Sequence, residues 1–84
     1  MLKGDKYEMK TKTRLDYMYE RMIDAGVDLK ELNKQSGVTM VTLTNLNKNT
    51  PSINTLIKLG IVLKDNNFVN KMRELPGEEA ENKN

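Results

Sequence analysis

An all-α fold, a compact bundle of about five short helices, is what this sequence predicts, on three observations. Apolar residues recur at three- and four-residue spacing in successive stretches between residues 11 and 75. Capping residues, glycine, asparagine and proline fall between those stretches, where helices start and stop. The 84 residues include no cysteine, so a disulfide framework or thiolate zinc site cannot organise a different small fold. A chain of this length makes one small domain of slender stability.

The chain divides into an arm at residues 1–10, with no clear period and expected to be a flexible N-terminal arm or a short strand, a helical body at 11–75, and a tail at 76–84 expected to be disordered. From Thr11, Leu15, Met18, Tyr19, Met22 and Ile23 form the stripe of an amphipathic helix that ends near Gly26. Lys12, Asp16, Glu20 and Asp24 occupy another face of it. Carboxylates on one helix point outward together and cannot surround an ion, so that row reads as a solvated face and no metal site is expected. A second helix opens at Asp28, a capping residue that Glu31 can complete into a capping box while Val27 staples onto Leu32. It is short, because Gly37 can take the left-handed conformation that ends a helix.

Thr39 is the expected N-cap of a third helix running to about residue 48, with Val38 and Leu43 as a second staple and Leu46 one turn on. A fourth begins near Ser52, buries Ile53, Leu56, Ile57 and Leu63, and has Gly60 where close approach of another helix needs a small residue. A fifth carries Phe68, Val69, Met72 and Leu75 before Pro76 ends it. Its apolar face can close the core or pair with a second copy, and periodicity does not separate the two.

Composition narrows the function. The chain has no histidine as well as no cysteine, which removes the commonest general base and the usual nucleophile pairs. No carboxylate pair or phosphate-cradling glycine loop replaces them, so no enzyme and no cofactor are expected. The longest apolar run, Leu59 to Leu63, is too short to span a bilayer, and the first ten residues lack an apolar core. A cytoplasmic protein without a membrane partner is the expectation. The formal charge of +2 is unevenly spread: residues 76–84 hold three glutamates against one lysine, so the remainder carries +4. Between Lys30 and Lys64 lie five lysines and one acid, Glu31. A polyanionic partner suits that excess, although such a segment is more often a plain solvated surface.

The third helix sharpens the question, since only Val38, Leu43 and Leu46 anchor it and the rest is polar. Two short helices at a tight Gly37-Val38 turn form a rigid corner that leaves Thr39, Met40, Val41, Thr44, Asn45 and Lys48 outside, and such a helix can enter a DNA major groove. At these residues the sequence resembles the Cro/CI-type (XRE) helix-turn-helix repressors, across roughly residues 11–64. Leu32, Gly37, Val38, Leu43 and Leu46 match the helix-turn-helix, and "TPSINTLIKL" matches the Pro-Ser-Leu start of the family's fourth helix. Asn33 stands where the family prefers alanine, Ser36 where it usually buries an apolar residue, and Leu29 where a glutamine often contacts phosphate.

The resemblance implies a lambda-repressor-like helix-turn-helix domain at residues 11–75. It also implies binding to operator DNA, usually as a homodimer on inverted half-sites, and a regulatory role common in phage, plasmid or other mobile-element control. Carried over by position, Thr39, Met40, Val41, Thr44 and Asn45 are the expected base contacts, and Lys30, Lys34 and Lys48 the phosphate contacts. The chemistry suits each: asparagine pairs bidentately with adenine, and threonine and valine methyls meet the thymine methyl. Residues 22–72 contain no arginine, which points away from guanine readout and towards an A/T-rich operator. Asn45 as an ordinary solvent-facing residue competes with this reading. Met40 or Val41 packed on a protein partner competes as well, which would make the chain a binding module such as an antirepressor, an antitoxin-like protein or a complex subunit.

Overall fold

A computed structural model describes residues 12–77; the arm at residues 1–10, Thr11 and residues 78–84 lie outside the described residues. Five helices and no strand occur among them: α1 (Arg14–Ala25), α2 (Leu29–Ser36), α3 (Met40–Thr44), α4 (Ile53–Leu63) and α5 (Phe68–Glu74). The architecture is the expected all-α bundle. α4 lies at its centre, packing on α2, α5 and α1, while α3 packs chiefly on α2 and α5 also touches α1. Met18, Leu32, Leu43, Leu46, Leu56, Leu59, Phe68 and Met72 are fully buried between them, and each such side chain contributes on the order of 1.5–3 kcal/mol.

Short-range chemistry sets the boundaries. Thr13 caps α1 by accepting from the Asp16 amide, and the Asp16 carboxylate accepts from the Thr13 amide in return, which closes a capping box. Asp28 Oδ1 caps α2 through the Glu31 amide at 2.8 Å. The reciprocal half expected there does not form, because the Glu31 carboxylate accepts from Gln35 Nε2, one turn on, at 2.6 Å. Thr39 and Ser52 cap α3 and α4 through the amides of Thr42 and Thr55. Gly26 and Gly37 end their helices at φ of 73° and 77°, where a side chain would be strained.

Two of the expected faces are rolled. On α1, Met18 and Met22 are buried and Leu15 packs partly against them, but Tyr19 is exposed and Ile23 is 78% exposed. Tyr17 turns inward instead, its ring 6.0 Å from that of Phe68 and its hydroxyl donating to Asp65 Oδ2 at 2.6 Å. Arg14 and Tyr17 both bond to distant parts of the chain, and satisfying them rotates the helix away from its greasiest stripe. On α4 the core face is Leu56, Leu59 and Leu63, and the expected Ile53 and Ile57 face outward. Gly60 does allow a close approach: a Cβ there would lie 3.2 Å from the Asp65 carbonyl oxygen and 3.3 Å from Phe68 Cβ. α5 uses Phe68 and Met72 to close the core. Beyond it, the Pro76 carbonyl accepts from the Arg14 amide at 3.0 Å, so the chain is still packed at the first residues of the acidic segment.

Candidate nucleic-acid interface

The α2–α3 corner is built by side chains that the resemblance marked as departures. Asn33 Nδ2 donates to the Val38 carbonyl at 2.6 Å across the turn. Ser36 Oγ donates to the Leu32 carbonyl at 2.7 Å and accepts from the Val38 amide at 3.0 Å. These bonds satisfy backbone groups that a helix end would otherwise leave open. They also press Val38 into the core beside Leu43 and Leu46, and all three expected anchors are buried.

The third helix is a correction to the expected span of residues 39–48. Only Met40–Thr44 is α-helical, and residues 45–48 form turns in which the amides of Lys48 and Asn49 both donate to the Asn45 carbonyl at 3.0 Å. Three causes act together. The Thr44 hydroxyl bonds back to the Met40 carbonyl at 2.9 Å, a contact that weakens helix continuation. Asn45, Asn47 and Asn49 are poor helix formers. Arg14 then withdraws the next carbonyls, its Nε donating to Leu46 at 2.7 Å and its Nη2 to Asn47 at 3.3 Å, while Asn47 Oδ1 accepts from the Leu15 amide at 3.0 Å. Arg14 and Asn47 join partners more than thirty positions away, and no local pattern marks either of them.

The candidate residues fall out unequally on this frame. Thr39, Met40, Val41 and Thr44 are exposed, Val41 at 68%. Lys30 and Lys34 on α2 and Lys48 in the turn are exposed as well. Asn45 is displaced from its expected place on the body of a helix: it is the residue that ends α3, half-buried, and it lines a recess of about 190 Å³ with Val41, Thr42, Asn49 and Pro51. Both threonine hydroxyl hydrogens are committed internally, Thr39 Oγ1 to Thr42 Oγ1 at 3.1 Å and Thr44 Oγ1 to Met40. That leaves lone pairs and methyl groups for a ligand. The acids on this corner are also engaged, Asp28 as a cap and Glu31 with Gln35, and among the described residues no carboxylate is bonded to the three lysines.

Comparison of the chain with protein-family models, curated proteins and solved structures found no match. Among the described residues no cluster of histidine, cysteine or acidic side chains could hold a metal ion, and no helix is long and apolar enough to cross a membrane.

Proposed function

We propose that the chain is a sequence-specific, double-stranded DNA-binding regulator of the Cro/CI repressor type, acting as a dimer and presenting α3 and its flanking lysines to the major groove. The observation that carries this reading is the division of one short segment into a buried side and a solvent side. Val38, Leu43 and Leu46 are sunk in the core, while Thr39, Met40, Val41, Thr44, Lys30, Lys34 and Lys48 all face solvent. A rigid corner with methyl groups at its tip and ammonium groups at its edges suits thymine-rich base edges between phosphates. Because α3 has five residues, only its first turn reaches bases, and Asn45 meets DNA from the turn beside Pro51.

Selection of bound duplexes from a random pool tests the proposal. The expected product is an A/T-rich inverted repeat with half-sites about one helical turn apart. Lys48→Ala should weaken binding to all sequences, and Val41→Ala should mainly relax the sequence preference. Enrichment of no sequence, together with binding insensitive to salt, would overturn the reading.

Exposed Met40 and Val41 side by side favour a second reading, a protein-binding module on the same fold. It predicts a single stoichiometric protein partner whose affinity survives Lys48→Ala and falls with Val41→Lys.

A further inference from the structure

All four isoleucines of the chain are exposed, and three of them share one stripe of α4. Ile53, Ile57 and Ile61 follow one another at four-residue spacing and are 49%, 45% and 70% exposed. A recess of about 200 Å³ opens beside this ridge, between α4 and the start of α5, lined by Ile57, Gly60, Ile61, Asp65, Asn66 and Val69. Since deletion of one leucine side chain leaves a cavity of roughly 150 Å³, the recess is sized for one branched aliphatic side chain. An interface between identical copies needs both a projection and its socket on a single patch, and this patch has both.

We infer that the α4 ridge is a self-association surface whose occupant is the α4 ridge of a second copy, the two helices running antiparallel about a two-fold axis at Ile57. Ile53 of each copy then meets Ile61 of the other, and the ridges seat in the facing recesses. Asn54, Lys58 and Asn66 are exposed around the patch and form its polar rim. The patch spans little more than two helical turns, small beside the roughly 800 Å² per partner of a standard interface, so a weak, reversible dimer is expected. The inference rests on the dimer in the proposed function but not on DNA binding, and it is tested without DNA.

Sedimentation equilibrium of the full chain from about 10 µM to 1 mM should show the mass rising towards that of a dimer. Ile57→Lys should remain monomeric with unchanged helical content, and Ile23→Lys, on α1, should follow the parent chain. Because the chain has no cysteine, single thiols report the register: Ile57→Cys should couple to itself on mild oxidation, and an equimolar mixture of Ile53→Cys and Ile61→Cys should favour the mixed disulfide over either self-pair. The thiol readout decides the matter if Ile57→Lys does not fold. A parent chain that stays monomeric at 1 mM, an Ile57→Lys profile matching the parent, or Ile53→Cys coupling to itself as readily as to Ile61→Cys would each overturn the inference. Dimerisation without any DNA selection would leave this surface standing and remove only the DNA reading.

Discussion

Arg14 ties three parts of the chain together. Its guanidinium donates to the carbonyls of Leu46, Asn47 and Leu75, and its own amide donates to Pro76. The three guanidinium bonds are charge-assisted and go to carbonyls outside regular helix, and such bonds contribute about 1.5–3 kcal/mol apiece when they are not redundant. Arg14→Met keeps the aliphatic stem and removes the donors. It should lower unfolding stability by about 2–4 kcal/mol in urea titrations, and a loss below about 0.5 kcal/mol would show that the carbonyls find water instead. Tyr17 makes a second long-range tie. Burial, reinforced by the hydrogen bond to Asp65, pushes its hydroxyl up from 10.0 to about 12. The unfolded chain releases that proton near 10, so the folded state binds it more tightly between 10 and 12. The stabilisation is therefore whole below pH 10 and lost as pH rises to 12. The late-ionising phase of an ultraviolet titration of the parent should be missing from Tyr17→Phe, and the melting advantage of the parent over Tyr17→Phe should shrink across that window.

Elements were legible where their causes are local. Thr39, Ser52, Asp28, Gly26 and Gly37 act within a few residues of themselves, and the starts and stops they imply are found in place. The Val38, Leu43 and Leu46 anchors were legible for the same reason. Helix faces were less so, because leucine and isoleucine are equally apolar on a helical wheel while the packing of α4 against α2 and α5 buries the leucines and leaves Ile53, Ile57 and Ile61 outside. The true end of α3 could not be read, since it depends on Arg14 reaching across the fold to Leu46 and Asn47. Asn33 and Ser36 depart from the Cro/CI-type pattern and prove to stitch the α2–α3 turn, which makes that turn the element to test. Ser36→Ala removes the acceptor of the Val38 amide and should cost about 1 kcal/mol. Hydrogen exchange at Val38 should accelerate while that of α4 shifts only by the global loss. Equal acceleration throughout would mean that the turn does not open separately.

At the scale of the whole molecule, the proposed function makes a numerical demand on charge. A modest formal charge of +2 cannot hold DNA by general attraction, so affinity has to come from the few lysines placed beside α3. Each phosphate neutralised releases counterions, and the logarithm of the binding constant falls with the logarithm of salt at about 0.9 per contact. Lys30, Lys34 and Lys48 therefore set a slope of roughly −3 for one copy, and of roughly −5 when two copies sit on an inverted repeat. Lys48→Ala should flatten the slope by about one in the first case and about two in the second. Fluorescence anisotropy from 50 to 300 mM salt reads both quantities, and the absolute size of the change on Lys48→Ala, about one or about two, reports how many copies bind. A steep slope left unchanged by Lys48→Ala would place the phosphate contacts elsewhere on the chain. A flat slope in the parent would leave the exposed Met40 and Val41 pair as the better guide, because apolar docking on a protein releases no condensed counterions.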